Sequence, residues 1–309
     1  MLNISEYPVQ EGFVPFRGYK TWYRIVGAGE EPGRLPLICL HGGPGATHDY
    51  FGSLEAFAAT GRRVILYDQL GWGNSDHPSN PSIWTVDLFV DELCEIRRAL
   101  GLGRVHVLGH SWGGMLAMEY ALTQPAGLAS LVLADTLASA REWAVEARRL
   151  ILELPPETQQ VIEKHEAAGT TDSPEYKEAM MVFSRRHVGG HIAPQPEWVK
   201  EAFKKIQTNE VYLTMWGPSE FNVTGALKEW DITNRLGEIR IPTLVMCGRD
   251  DEATPSIAET IRGGIPRSEL VIFERSAHFP HIEETGRFLE VLSEFLDRIE
   301  ATRGEEGAF

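Results

Sequence analysis

The sequence predicts an α/β fold in which helices cover both faces of a mostly parallel sheet. In residues 1–136 and 237–309, short and continuous apolar runs alternate with amphipathic helical stretches. Parallel strands that are buried on both faces have this continuous apolar composition. Residues 137–236 instead carry charged helical stretches broken by prolines, with few β-branched runs. We therefore expect a core formed by residues 1–136 and 237–309, with residues 137–236 inserted as a helical cap.

The strands and helices can be placed in order along the chain. Residues 12–26 alternate between apolar and polar side chains around Gly18, which predicts two antiparallel strands joined by a turn. Later strands are expected where apolar residues run without interruption: Leu35–Leu40, Val64–Tyr67, Val105–Leu108, Leu128–Ala134, Ile241–Cys247 and Leu270–Phe273. Apolar spacing or composition predicts helices over Val86–Leu100, Met115–Leu122 and Phe288–Ile299.

The most informative segment follows the predicted strand that ends at Leu108. Residues 109–113 read Gly-His-Ser-Trp-Gly, which fits the pattern Gly-x-Ser-x-Gly, and a stretch rich in Ala, Leu and Met comes next. A strand therefore turns sharply into a helix with Ser111 at the corner, where the two glycines let the chain pass close to itself. This is the nucleophile elbow of α/β-hydrolases. We expect that fold, with an eight-stranded sheet and Ser111 as the nucleophile.

A serine hydroxyl becomes a good nucleophile only when a base removes its proton and a carboxylate orients the base. In this fold the acid and the base follow the serine in that order, on loops after later strands. Asp250 and Asp251 follow the seventh predicted strand, and the spacing favours Asp251, although both could simply cap the next helix. His278 and His281 follow the eighth strand. His278 lies in the loop before the final helix and is the predicted base.

A tetrahedral intermediate needs two N–H donors for its oxyanion. In this fold one donor is the backbone N–H of the residue after the nucleophile, here Trp112, and the other lies in the loop after the third strand. Residues 41–45 (His-Gly-Gly-Pro-Gly) occupy that loop, and Gly43 is the predicted donor. The histidines lack metal-ligand spacing. We expect a hydrolase that uses neither a metal nor an organic cofactor.

Composition argues against several classes of partner. The formal net charge is −15, from 44 acidic and 29 basic residues. Nucleic acids and anionic membrane surfaces attract basic patches, so we expect neither as a partner. The acidic balance is compatible with a cationic substrate, although solubility alone also explains it. The sparse cysteines, the absence of a signal-peptide pattern and the absence of a membrane-length apolar run predict a cytoplasmic protein.

Three motifs together resemble those of the prolyl iminopeptidases, α/β-hydrolases that release an N-terminal residue, often proline. The motifs are residues 41–45, residues 68–76 and residues 109–114. The resemblance also reaches residues 216–221 of the cap. It is strongest to the branch that contains the archaeal tricorn-interacting aminopeptidase and the bacterial L-amino acid amidases. In that branch two glutamates hold the substrate's α-ammonium group, and their positions match Glu220 and Glu252 here.

The resemblance implies a serine exopeptidase that acts on short peptides or amino acid amides with a free N-terminus. It would release proline or another hydrophobic residue through an acyl-enzyme. Paired carboxylates in a closed pocket suit recognition of a charged amine. Trp216 and Phe221 could wall a pocket for the substrate side chain, or they could only pack the cap. Trp72 stands where relatives commonly carry cysteine, and the two residues that flank Ser111 also differ in many relatives.

Two groups of alternatives remain at this point. The same fold serves L-amino acid amidases, ester acyltransferases, and general esterases or lactonases that act on uncharged acyl groups. A hydrolase fold can also act as a catalytically silent binding module. Such modules usually lose a member of the triad, whereas this sequence retains a complete candidate set.

Overall fold

An eight-stranded sheet runs through the computed structural model, which describes residues 7–189 and 209–306. The strands are β1 (Val9–Phe16), β2 (Tyr19–Val26), β3 (Leu37–Leu40), β4 (Val64–Tyr67), β5 (Val105–His110), β6 (Leu128–Ala134), β7 (Thr243–Gly248) and β8 (Ser268–Phe273). Their spatial order is β1-β2-β4-β3-β5-β6-β7-β8. Only β2 runs against its neighbours. The prediction of an eight-stranded, mostly parallel sheet is confirmed.

The first two strands form the predicted hairpin. Phe16 pairs with Tyr19, and the two residues between them have φ values of 48° at Arg17 and 87° at Gly18. Two successive positive φ angles are typical of the tight turns that match the twist of antiparallel strands. Along β1 the burial alternates, with Phe13 exposed and Val14 buried, because this edge of the sheet has one solvated face.

The five central strands are buried along their whole length, as their continuous apolar composition predicts. Successive side chains of a strand point to opposite faces. In β3, Ile38 and Leu40 pack into a cluster on one face of the sheet, while Leu37 and Cys39 pack into a second cluster on the other face. The sheet therefore separates two apolar cores, each covered by helices.

The helices that the structure describes are α1 (Gly52–Glu55), α2 (Val86–Ala99), α3 (Trp112–Leu122), α4 (Ala140–Ile151), α5 (Pro156–Ala168), α6 (Pro174–His187), α7 (Glu210–Met215), α8 (Pro255–Gly264), α9 (Pro280–Glu283) and α10 (Thr285–Glu306). Several begin at a side-chain cap. Thr85 accepts a hydrogen bond from the N–H of Leu88, and Ser139 accepts one from the N–H of Glu142. Such caps satisfy N–H groups that the first turn of a helix leaves free.

Helices α4 to α7 lie in the stretch expected to form the cap, and no strand occurs in the described part of that stretch. The two ends of the insertion lie side by side. The N–H of Ala140 donates to the carbonyl of Trp230, and the N–H of Ile232 donates to the carbonyl of Ala138. This pairing supports an insertion with a single stem, and the boundaries at residues 137 and 236 stay a prediction.

Within residues 7–189 and 209–306, each helix falls short of the length or the apolar character needed to cross a bilayer.

Candidate active site

Ser111 lies at the sharp turn between β5 and α3. Its backbone has φ 55° and ψ −124°, a strained combination for a residue with a side chain. A Cβ atom added to Gly109 would collide with the carbonyl of Gly113, and one added to Gly113 would collide with the carbonyl of Leu40. The two glycines are therefore required by close backbone contacts. The turn has the geometry of a nucleophile elbow and leaves Ser111 partly exposed.

The glycine-rich loop after β3 lies against this turn. A Cβ atom added to Gly42 would come within 3.0 Å of the Ser111 Cβ atom. Gly43 has φ 111°, and its N–H has no acceptor among the residues that the structure describes. Trp112 is the first residue of α3, where helix geometry leaves the N–H free. Both predicted oxyanion donors are thus unengaged N–H groups on the two segments that meet at the serine.

Gln69, in the loop after β4, ties these segments together. Its N–H donates to the Nε2 atom of His41 at 2.9 Å, and its side-chain amide donates to the carbonyl of His41 at 3.0 Å. Its side-chain oxygen accepts from the indole of Trp112 at 2.8 Å. We did not predict this role. The only signal in the sequence is the position of Gln69 within the motif over residues 68–76.

The loops after β7 and β8 bring an acid and a base together. The Nδ1 atom of His278 lies 2.7 Å from the Oδ1 atom of Asp251, and both residues are buried. The N–H of Ala253 donates to the same oxygen at 2.9 Å. Asp250 is exposed, and its carbonyl accepts from the ring of His187. Asp251 rather than Asp250 is therefore placed to orient the base.

The pKa of His278 reflects opposing causes. Burial lowers the pKa of the imidazole, but the charge of Asp251, its hydrogen bond and the charge of Glu220 outweigh burial and raise it above its ordinary value. A carboxylate that stabilises the imidazolium in this way is what a general base needs during catalysis.

His281 has a different environment. It is buried, and its ring packs against the rings of Tyr50, Phe51 and His110. Burial lowers its pKa to about 3, so it is neutral at physiological pH. No carboxylate forms an ion pair with it in the described part of the chain. The geometry thus favours His278 over His281 as the base.

His110, next to the serine, connects the elbow to the loop that carries the base. Its Nδ1 atom lies 3.1 Å from the hydroxyl of Tyr50, and its Nε2 atom lies 2.7 Å from the carbonyl of His278. A carbonyl only accepts, so we assign the proton to Nε2 and the accepting lone pair to Nδ1. Among the described residues the Ser111 hydroxyl makes no hydrogen bond to His278; in apo enzymes this bond often tightens only when substrate binds.

Two glutamates lie beside the base. Glu252 is buried, with its Oε1 atom 3.9 Å from the Nε2 atom of His278 and its Oε2 atom without a hydrogen-bond partner. Glu220 lies near the Tyr212 hydroxyl, which acts on its pKa. Burial raises the pKa of both carboxyls, and the charges of Glu220 and Asp251 raise that of Glu252 further. No Lys or Arg side chain from residues 7–189 or 209–302 forms an ion pair with either glutamate.

The cap positions Glu220 through its backbone. The indole N–H groups of Trp143 and Trp216 donate to the Glu220 carbonyl at 2.7 and 3.2 Å. Phe221 packs against Tyr176 and Phe183. Trp216 and Phe221 therefore make their contacts within the cap, Trp216 by a hydrogen bond and both by ring packing. A role for either in lining a substrate pocket stays a prediction.

Known proteins share this architecture and much of this sequence. A family model described as the alpha/beta hydrolase fold matches residues 36–285. A proline iminopeptidase from Clostridium botulinum is 43% identical over 293 residues, which are 94% of this chain and 99% of that protein. This chain belongs to the proline iminopeptidase family of α/β-hydrolases. It is a serine hydrolase of the prolyl aminopeptidase type, as the sequence predicted.

Two further proteins in this family are similar over nearly their whole length. A proline iminopeptidase from Heyndrickxia coagulans is 43% identical over 289 residues, covering 94% of this chain and 99% of that protein. The crystal structure of the Mycobacterium smegmatis proline iminopeptidase is 40% identical, with a TM-score of 0.88. That match covers 95% of this chain and 100% of the solved one.

Trp72, in the second of the three motifs, is half-buried and stacks on His77 with ring centroids 5.6 Å apart. No group of three or more His, Cys, Asp or Glu side chains suited to a metal ion occurs in the described ranges.

Proposed function

We propose that this protein is a serine exopeptidase that releases proline or another hydrophobic N-terminal residue from short peptides or amino acid amides. The observation that carries the proposal is the pair of carboxylates, Glu220 and Glu252, beside the base. Two like charges held close together, one of them buried, are unfavourable unless a cation compensates them. An α-ammonium group, present on every unblocked N-terminus, is a cation of suitable size. The names of the proline iminopeptidase relatives agree with this substrate class.

The position of Glu252 explains why one residue is released. Its carboxylate is 3.9 Å from the Nε2 atom of His278, the ring nitrogen that is free to take a proton from the nucleophile. In an amino acid the ammonium nitrogen and the carbonyl carbon are only about 2.5 Å apart, from standard bond lengths and angles. An ammonium group held by Glu252 therefore brings the first carbonyl of the chain to the serine.

The reaction follows from these positions. His278 removes the proton of Ser111 as the hydroxyl oxygen attacks the carbonyl carbon, and Asp251 stabilises the imidazolium. The N–H groups of Gly43 and Trp112 bind the oxyanion. His278 then gives its proton to the leaving amine, and water hydrolyses the ester of Ser111 with His278 again as the base. The shortened peptide or amine therefore leaves first, and the free amino acid is released second, when the ester is hydrolysed.

A general esterase or lactonase acts on uncharged acyl groups and has no use for two carboxylates beside the base, one of them buried and the other partly buried. An L-amino acid amidase or ester acyltransferase would share the ammonium site and differ in the leaving group or in the acceptor. The pair of glutamates therefore favours the amine-recognising activities as a group.

The test is the release of a chromophoric amine from proline, alanine, leucine and phenylalanine derivatives, each with a free and an N-acetylated amino group. Loss of a desolvated charge partner costs about 2–5 kcal/mol, or about 30- to several-thousand-fold in kcat/KM. We expect turnover of the free forms only, unaffected by EDTA and abolished in Ser111→Ala. Equal turnover of the acetylated forms would contradict the proposal.

A further inference from the structure

A second buried aspartate, Asp135, lies against the predicted catalytic acid. It directly follows β6, is fully buried and has φ 53°, a conformation that Asp and Asn tolerate better than most side chains. The N–H of Gly248, at the end of the neighbouring strand β7, donates to its Oδ1 atom at 3.2 Å. Asp251 comes three residues later. The adjacency of β6 and β7 therefore brings two carboxyl groups together inside the protein.

The charge of Asp251 acts on Asp135, so the two carboxyl groups are close neighbours. In each of them one oxygen accepts from another group, whereas the Oδ2 atom has no other hydrogen-bond partner. Two carboxylate oxygens only accept, so a contact between them is repulsive unless one carries a proton. A single proton shared between the two Oδ2 atoms would satisfy both.

The number of donors around each carboxyl indicates where the proton belongs. Asp251 accepts hydrogen bonds from the N–H of Ala253 and from the ring of His278, whereas Asp135 accepts one from the N–H of Gly248. Hydrogen bonds to the ionised form favour ionisation. Asp251 therefore keeps the charge, and Asp135 keeps the proton.

The other groups that face Asp135 do not favour its ionisation. They are Asp251, the acidic Glu283 and, 3.7 Å from Oδ2, the Nε2 atom of His110. His110 is neutral because burial holds its pKa well below the ordinary value. The Tyr50 hydroxyl and the Cys247 thiol are uncharged neighbours. Burial and the charge of Asp251 raise the pKa of Asp135 well above its usual range.

We propose that Asp135 is a positioning residue for the catalytic acid: its protonated carboxyl donates a hydrogen bond to the Oδ2 atom of Asp251 and holds the Oδ1 atom toward His278. The inference rests on the roles of Asp251 and His278 in the proposed function. The bond also supplies the partner that the second oxygen of a buried carboxylate requires. The base is thereby positioned by the charged carboxylate of Asp251, which in turn is held by the neutral carboxyl of Asp135.

Two variants of similar size separate this role from simple packing. Asp135→Asn retains a donor toward Asp251 and an acceptor toward Gly248, and Asn tolerates the same φ. Asp135→Leu fills the space without a donor. We expect Asp135→Asn to stay within about threefold of the wild-type kcat/KM, because the hydrogen bonds are preserved. We expect Asp135→Leu to lose about 100-fold, because misplacement of a catalytic group has effects of that size.

The pH profile distinguishes a neutral from a charged Asp135. If Asp135 is neutral, Asp135→Asn leaves the acid limb of kcat/KM in place, since no charge near His278 has changed. If Asp135 is ionised, the same variant removes a negative charge and lowers the pKa of His278. The acid limb would then move to lower pH by about one unit, which would overturn the proposal.

A spectroscopic measurement needs neither substrate nor a stable variant. In wild-type protein labelled with carbon-13 at the aspartate carboxyls, we expect one resonance that stays at the protonated position at neutral pH. It should be absent from Asp135→Asn if that variant folds. A spectrum in which every aspartate is ionised at neutral pH would overturn the proposal even if the assignment of the substrate proves correct. Conversely, the resonance would remain if the protein proved inactive on N-terminal substrates.

Discussion

At the nucleophile end of the site, Gln69, His41 and Trp112 hydrogen-bond to one another and hold the two segments that carry the predicted oxyanion donors. At the acidic end, Glu252 is buried with one oxygen unpartnered, and Glu220 adds a second negative charge nearby. The first region is complete without a ligand. The second has no Lys or Arg partner within the described residues, and a bound cation would give its carboxyl groups a partner.

The difference separates two roles, stabilisation of the transition state and recognition of a charged substrate. Groups that stabilise a transition state are most effective when they are already fixed, because they then need no reorganisation during the reaction. Groups that recognise a charged substrate can be left unsatisfied, because the substrate then relieves an unfavourable state and gains affinity. Substitutions at the two ends should therefore differ in their effects on stability as well as in their effects on rate.

The largest effect is expected at the nucleophile end. Ser111→Ala removes the attacking oxygen, and kcat should fall by about 10⁶-fold, as in other serine hydrolases. The melting temperature should stay close to that of the wild type, since the hydroxyl makes no hydrogen bond to the described residues. A variant that keeps more than a hundredth of the wild-type kcat would place the nucleophile elsewhere.

The second prediction concerns the acid and uses its neighbour as the matched control. Asp251→Asn should lower kcat by about 10⁴-fold, because the amide no longer fixes the reactive tautomer of His278. Asp250→Asn changes the same chemical group one residue earlier at an exposed position, and it should stay within about threefold of the wild type. Steady-state kinetics on the preferred substrate tests both. Equal losses in the two variants would contradict the assignment.

The third prediction concerns a substitution that removes a charge from the acidic end of the site and leaves the triad residues unchanged. Glu252→Gln removes one charge partner of the ammonium group, so kcat/KM for free substrates should fall by about 30- to several-thousand-fold. Turnover of N-acetylated substrates should not fall. Glu178→Gln, at an exposed position of the cap helix α6, is the control and should have no effect. If Glu252→Gln acts equally on free and blocked substrates, Glu252 does not recognise the amine.

The fourth prediction concerns the effect of the Glu220 charge on the pKa of His278. The negative charge of Glu220 contributes to the raised pKa of His278, and only the neutral imidazole can act as the base. Glu220→Gln should therefore lower the pKa of His278 and move the acid limb of kcat/KM to lower pH, by about one unit. A shift to higher pH, or no shift, would show that Glu220 does not act on the base.

The smallest effect is on stability, and its sign is opposite to the effect on activity. The raised pKa of Glu252 means that ionisation costs folding free energy above the ordinary carboxyl pKa, and the cost grows with pH until the folded pKa is reached. Glu252→Gln should stabilise the protein at pH 8 by about 1–3 kcal/mol, or roughly 2–4 °C in melting temperature per kcal/mol. The difference from the wild type should vanish near pH 4. A destabilised variant at pH 8 would mean that the charge is already compensated.

Local features of the fold were predictable because their causes are local. The β1–β2 hairpin follows from alternation around Gly18, and the turn at Ser111 follows from glycines at positions that admit no Cβ atom. The central strands were predicted from apolar runs, because polar side chains in a strand buried on both faces would cost folding free energy. The preference for Asp251 over Asp250 came from the spacing typical of the fold, and the structure places Asp251 against His278.

The features that sequence reasoning missed depend on contacts between distant segments. Asp135 lies near the predicted acid only because β6 and β7 are neighbours in the sheet. Tyr212 acts on Glu220 only because the cap places its hydroxyl nearby. One signal was available: an acidic residue directly after a mostly apolar strand lies at the sheet edge where parallel strands end. The protonation of that residue depends on unpaired oxygens and buried charges, which no pattern of residues records.

The most direct test of the account is a binding measurement in the absence of catalysis. Calorimetry on Ser111→Ala, with L-prolinamide and N-acetyl-L-prolinamide as ligands, isolates ammonium recognition from every chemical step. The account predicts that the free amide binds at least about 30-fold more tightly than the acetylated one, and that Glu220→Gln and Glu252→Gln in the same background remove most of the difference. Equal affinity for the two ligands would contradict the claim that the acidic end of the site exists to bind a substrate's α-ammonium group.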